Sequence, residues 1–159
     1  MYKLVLVGTD GSATASRAVE SAARLAQVHQ ARLTIAHAFS GRSPIGSDPT
    51  ALSEEMGWLA TPGGAADALV QSAVDLAQVA TCGALDVDGR AELGTARAVL
   101  RSLIDELAPD AVVVGNADAR RSLLRRGLGS ALARRTSTDV IIVDTSTETS
   151  ARRAPGTAA

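Results

Sequence analysis

Leu4-Val5-Leu6-Val7-Gly8-Thr9-Asp10-Gly11-Ser12 joins an apolar run to a turn and a helix, and the fold class follows from that succession. Leu4 to Val7 is an unbroken apolar run with no polar alternation, the pattern of a strand covered on both faces. It stops at a turn, Gly8 to Ser12, and the pattern then changes period. Ala15, Ala18, Val19, Ala22, Leu25 and Ala26 recur at three and four residues, with Arg17, Glu20, Ser21, Arg24 and Gln27 between them, which predicts an amphipathic helix lying on the sheet. Either Ser12 or Asp10 can cap it.

The same strand-turn-helix unit recurs downstream. Leu33 to Phe39 reads as a second strand, and Ala66, Leu69, Ala73, Leu76, Ala77 and Ala80 set a second helix over 65–80 with Gly83 beyond its end. Between them lies a Gly-, Pro- and Ser-rich stretch over 40–62, longer than ordinary connections and compatible with a lid, a binding loop or a disordered excursion. Leu85 to Ala91 alternates apolar and polar side chains, a strand less buried than its neighbours. Ala96, Val99, Leu100, Leu103, Ile104 and Leu107 form a third helical stripe that Pro109 ends. Ala111 to Gly115 is the most apolar strand and is expected at the centre of the sheet. A loop over 116–129, a short helix over 130–135 and a last strand, Asp139 to Val143, complete the pattern. Strands alternating with helices throughout predict an α/β fold, an open five-stranded parallel sheet with helices on both faces. Residues 145–159 lose all apolar period and are expected to form a disordered tail behind a single domain over 1–144.

Composition narrows the function. The chain has 159 residues, 16 Lys+Arg against 17 Asp+Glu, and 2% aromatic residues, which argues against a generally basic nucleic-acid binder and against an aromatic stacking platform. Cys82 is the one cysteine, so neither an internal disulfide nor a multi-cysteine metal site is available. The N-terminal apolar run is too short for a signal peptide and no stretch approaches the roughly 20 apolar residues of a membrane span, so a cytoplasmic protein without membrane partners is expected.

In an open parallel sheet, ligands bind beyond the carboxyl ends of strands, near a switch in strand order. Three segments leave strands with chemistry attached. Asp10 can accept hydrogen bonds from a ribose hydroxyl or an amino group, or can serve only its helix. His37 reads as a satisfied rim histidine, because no second ligating side chain accompanies it. Asp86 and Asp88 read as a solvated strand face rather than a metal pair. After Gly115 and Asn116 come Asp118, then Arg120, Arg121, Arg125 and Arg126, then Gly127, Gly129 and Ser130. Either glycines there admit a phosphate, with a helix beginning near Ser130 aiming N–H groups at it and arginines supplying forked donors, or the glycines only turn the chain and the arginines solvate it. Six of the 16 basic residues lie between Arg120 and Arg135, so the near-neutral total conceals a local positive field. No Gly-x-x-x-x-Gly-Lys-Ser/Thr loop, no Gly-x-Gly-x-x-Gly after the first strand and no Gly-x-Ser-x-Gly elbow occurs, and no nucleophile and base pair offers catalysis.

Taken together, these segments resemble the universal stress protein family over residues 1–144. The resemblance rests on the hydrophobic run followed by Asp10-Gly11-Ser12 and Ala18, on Leu33 to Ala38, on Glu92-Leu93-Gly94-Thr95-Ala96 with Leu100, and on Asp110 to Gly115. It implies a Rossmann-like fold of the adenine nucleotide alpha hydrolase type. It also implies a nucleotide site that holds ATP, possibly with Mg²⁺, or alternatively AMP or cyclic AMP. Asp10, Ala38 and Gly115 fall at its adenine and ribose positions, and Thr9, Gly11, Ser12 and Asn116 belong to the same nucleotide-binding set. Asp118, Arg120, Arg121, Gly127, Gly129, Ser130 and Ala131 fall at its phosphate side. The family's loop runs Gly, two residues, Gly, nine residues, then Gly-Ser or Gly-Thr. Here Asp118 replaces the second glycine, and ten residues, Ala119 to Leu128, separate it from Gly129. A carboxylate there opposes phosphate unless it turns away, pairs with Arg120 or Arg121, or holds a divalent cation. The resemblance further implies a stress-related sensor with at most slow ATP hydrolysis, and a homodimer joined through Val140 to Val143. The alternative is a dimeric scaffold that has lost nucleotide binding. A related ATP-pyrophosphatase is disfavoured, since its Ser-Gly-Gly-x-Asp-Ser loop does not follow the first strand.

Overall fold

The computed structural model describes residues 1–41, 61–116 and 138–144. Strand β1 (Leu4–Thr9) leads through helix α1 (Ala13–His29) to β2 (Arg32–Phe39). Then follow α2 (Pro62–Ala80), β3 (Val87–Leu93), α3 (Ala96–Leu107), β4 (Ala111–Asn116) and β5 (Asp139–Asp144). All pairings are parallel and the strand order is β3-β2-β1-β4-β5, as the alternating pattern predicts. The chain steps outward from β1 to β2 and β3, then returns to β1's other side to lay down β4. The switch in strand order therefore falls between β1 and β4.

Strand β1 occupies the centre. Val5, Leu6 and Val7 are fully buried; Val5 and Val7 join the core beneath α1 and α2, while Leu6 joins the core beneath α3. An apolar residue at every position is what a strand needs when helices cover both faces. The most apolar strand, β4, was expected at the centre and lies one place away, between β1 and β5. Ala111, Val112 and Val113 are at most 1% exposed. Apolarity reports two covered faces, and a strand beside the centre has those as fully as the centre itself.

Local chemistry sets the helix ends. Ser12, not Asp10, caps α1: its Oγ accepts the Ala15 N–H at 3.1 Å. Helix α2 starts at Pro62, three residues ahead of the expected start at position 65, because Thr61 caps it and proline suits the first turn. Thr95 caps α3 through the Ala98 N–H at 3.3 Å. Helix α3 then lays Val99, Leu100, Leu103 and Ile104 on the sheet, each worth about 1.5–3 kcal/mol in apolar burial.

Strand β3 is an edge strand and the less buried one, as expected, but it begins two residues later than the alternation suggests. Asp86 thus precedes it and pairs with Arg32 at 2.9 Å, whereas Asp88 pairs with Arg90 at 3.3 Å. The two carboxylates are solvated ion-pair partners. At the opposite end of the sheet from the switch-point crevice, Asp110 Oδ2 accepts the Lys3 N–H at 2.6 Å and the Leu4 N–H at 3.0 Å. This ties the start of β1 to β4. Among the described residues no helix is long and apolar enough to cross a membrane. The expected tail over 145–159, the short helix over 130–135 and most of the 40–62 stretch lie outside the described residues.

Candidate functional site

Small side chains open the crevice at the switch point. On the α3 face, Gly8 of β1 stands in register with Ala36 of β2, and Ala38 follows two residues on. These three cannot fill the space between the strand ends and α3, so a cavity of about 180 Å³ remains there. Val99, Leu100, Ala96 and Val114 wall it with hydrocarbon, and Thr9, Asp10 and Gly115 form its polar rim. An apolar slot with a few convergent polar groups suits a flat, partly apolar ring carrying polar substituents.

The turn that carries Asp10 is pinned at every residue. Thr9 is 8% exposed and its Oγ1 accepts the Gly11 N–H at 3.2 Å. Asp10 Oδ1 accepts the Ser12 N–H at 2.9 Å, closing an Asx turn. Gly11 has φ of +78°, in the left-handed region, and a Cβ there would stand 2.8 Å from Leu69 Cδ1 of α2. Hydrogen bonds from Ser12, followed by the N–H groups of Ser12 and Asp10 and by the neighbouring His37, outweigh partial burial and hold the Asp10 carboxyl below its ordinary range. It is an anion at neutral pH, placed at the positive end of α1.

Gly115 brings the two sides of the crevice together. A Cβ at this position would lie 3.0 Å from the Thr14 carbonyl oxygen and 3.2 Å from Ala18 Cβ, so any larger residue would have to push the first turn of α1 back from the end of β4 by a few tenths of an ångström. His37 proves to be a satisfied rim histidine: its Nδ1 lies 2.9 Å from the Thr9 carbonyl oxygen. It faces a second cavity, about 330 Å³, on the opposite face of the sheet beside Asp10, Phe39 and Leu69.

Of the residues the sequence singles out, Thr9, Asp10, Ala38 and Gly115 meet at one cavity, while Gly11 and Ser12 shape its turn. Asn116 ends β4 beside it. Asp118, Arg120, Arg121, Gly127, Gly129, Ser130 and Ala131 lie outside the described residues. Sequence reasoning passed over Gly8, Ala15, Ala36, Ala96, Val99, Leu100 and Val114, all on the cavity wall. The signal for the first of these was small residues where strands end, on the face opposite α1.

The family model for universal stress proteins matches residues 1–144. The chain belongs to the universal stress protein family. The universal stress protein Rv1636 of Mycobacterium tuberculosis is 35% identical to it over 147 residues, 91% of this chain and 97% of the relative. A solved universal stress protein in complex with cAMP superposes at a TM-score of 0.65 with 35% identity, covering 91% of this chain and 99% of that one. A more distant universal stress protein family protein from Arabidopsis thaliana, with AMP bound, shares the fold at a TM-score of 0.61 and 14% identity, over 90% of this chain and 93% of that one. In this universal stress protein the crevice, the buried Thr9 and the ionised Asp10 occupy the carboxyl ends of β1 and β4 where the fold leaves room for a ligand.

Proposed function

We propose that this universal stress protein binds an adenine nucleotide, with the base and ribose in the cavity at the ends of β1, β2 and β4. The observation that carries the reading is the pairing of an apolar slot with one ionised, pre-oriented carboxylate at its rim. Val99, Leu100 and Val114 offer dispersion contacts to a flat ring, and Asp10 accepts from a ribose hydroxyl or an amino group. For the phosphates the reading rests on sequence: Arg120 and Arg121 supply cations, and Gly127, Gly129 and Ser130 supply small residues and a hydroxyl. The ligand classes are ATP, alone or with Mg²⁺, and the monophosphates AMP and cyclic AMP; a 35% identical relative in complex with cAMP supports the last.

The nucleotide acts as a signal in a stress-related sensor, with hydrolysis at most slow. Two copies join through β5, an edge strand with Ile142 43% exposed, since an apolar edge left bare invites pairing. A second reading, a dimeric scaffold that binds no nucleotide, draws on the carboxylate of Asp118 in the phosphate loop. Calorimetric titration of the full chain with ATP, ADP, AMP and cyclic AMP, with and without Mg²⁺, separates the two. Saturable binding of at least one supports the sensor; no heat at millimolar concentration of any leaves only the scaffold.

A further inference from the structure

We infer that His37 is a positioning residue for the nucleoside end of the site, acting through the Thr9 carbonyl on Asp10; this rests on the nucleotide reading above. His37 and Thr9 are register partners on adjacent strands. A carbonyl oxygen only accepts, so the 2.9 Å contact to it requires the proton on Nδ1, whether the ring is neutral or charged. The bond holds the peptide plane that joins Thr9 to Asp10. The other side-chain hydrogen bonds of that turn are local, Gly11 N–H to Thr9 Oγ1, Ser12 N–H to Asp10 Oδ1 and Ala15 N–H to Ser12 Oγ, while the β1–β2 ladder reaches Thr9 and Leu69 of α2 packs beside Gly11. Of these, none is a side-chain hydrogen bond reaching the turn from another strand. His37 adds a side-chain tie to the ladder there, from a strand whose neighbouring residue, Ala38, lines the cavity that Asp10 borders. An acceptor that must meet a ribose hydroxyl gains its strength from being held in place before the ligand arrives.

The chemistry separates two substitutions of similar size. An asparagine amide presents its donor near the position of Nδ1, whereas glutamine places its amide near Nε2. Loss of one neutral hydrogen bond corresponds to about a fivefold change in affinity. His37→Ala and His37→Gln are therefore expected to weaken binding of adenosine and cyclic AMP alike, about fivefold, and His37→Asn to restore it. Placed on an Asp10→Asn background, His37→Ala should cost little more, because its effect passes through the carboxylate. Calorimetry on the full chain reads the affinities, thermal melts confirm that each variant is folded, and ¹⁵N spectra of the wild type report which ring nitrogen is protonated. A proton on Nε2 rather than Nδ1, equal binding by wild type and His37→Ala, or losses that add fully to those of Asp10→Asn each overturns the inference. Absence of binding by the wild type overturns the nucleotide reading instead, and the ¹⁵N result still stands for or against the tie.

Discussion

Gly8 offers a way to part ligand binding from folding stability. A Cβ built on it would meet Leu100 side-chain carbons at 3.5 Å, an ordinary van der Waals contact, and its backbone is that of an extended strand. Gly8→Ala should therefore be accepted without strain and should stabilise the fold by about 0.4–1 kcal/mol by restricting the unfolded chain. For a chain of this size that raises the melting temperature by about 1–4 °C. The added methyl projects toward α3, into the cavity of about 180 Å³, and removes roughly one water's share, about 30 Å³. A ring that fits the slot then meets an overpacked wall, at a cost of about 1–3 kcal/mol, or about 5- to 150-fold in affinity. Gly115→Ala is the control with the opposite signature. Its Cβ would press on the Thr14 carbonyl oxygen at 3.0 Å, helix backbone that cannot rotate away, so stability itself should fall by about 1–3 kcal/mol. Differential scanning calorimetry and nucleotide titration on both variants read the two quantities separately. A Gly8→Ala protein that melts normally and still binds nucleotide as the wild type does would refute the placement of the base in this cavity.

Three further outcomes follow from the same geometry. Leu103→Ala should lose about 2–5 kcal/mol in denaturant unfolding, since Leu103 is 1% exposed beneath the sheet and leaves a cavity on the α3 side. Asp110 is held below the ordinary carboxylate range chiefly by the Lys3 and Leu4 N–H groups, so its contribution is present above the unfolded carboxyl value and is lost as pH falls through the lower folded one. Asp110→Ala should lower stability near pH 7 by about 1 kcal/mol, reduced from a buried pair's value by solvent, and flatten the acid limb of a stability–pH profile. If two copies pair through β5 as proposed, Ile142→Arg, at an exposed position on that edge, should turn the dimer into folded monomers in sedimentation; a wild type that sediments as a monomer, or a variant that sediments as the wild type does, refutes pairing through β5.

Much of this molecule can be read one residue at a time. Leu4 to Val7 declares a doubly covered strand and the stripe from Ala15 to Ala26 declares its helix, because each pattern depends only on near neighbours in the chain. The same holds for the caps: Ser12, Thr61 and Thr95 satisfy N–H groups three residues away. Asp10 was legible as a polar group leaving a strand, but not the turn that binds its carboxylate or the lowering of its carboxyl below the ordinary range, set chiefly by Ser12 with His37 adding least.

Near-neighbour patterns alone dictate that strands and helices alternate and that β1 and β4 are covered on both faces, and they mark the polar and glycine residues where β1, β2 and β4 end. That β1 rather than β4 is central emerges from the folded sheet, because strand order is a matter of crossovers and composition is blind to them. Tertiary structure also decided which glycine serves what. Gly115 admits a helix, Gly11 turns the chain under Leu69, and Gly8, with Ala36 and Ala38 beside it, leaves the room for a ligand. A glycine records only that a side chain is missing; the neighbour that needs the space belongs to another part of the chain.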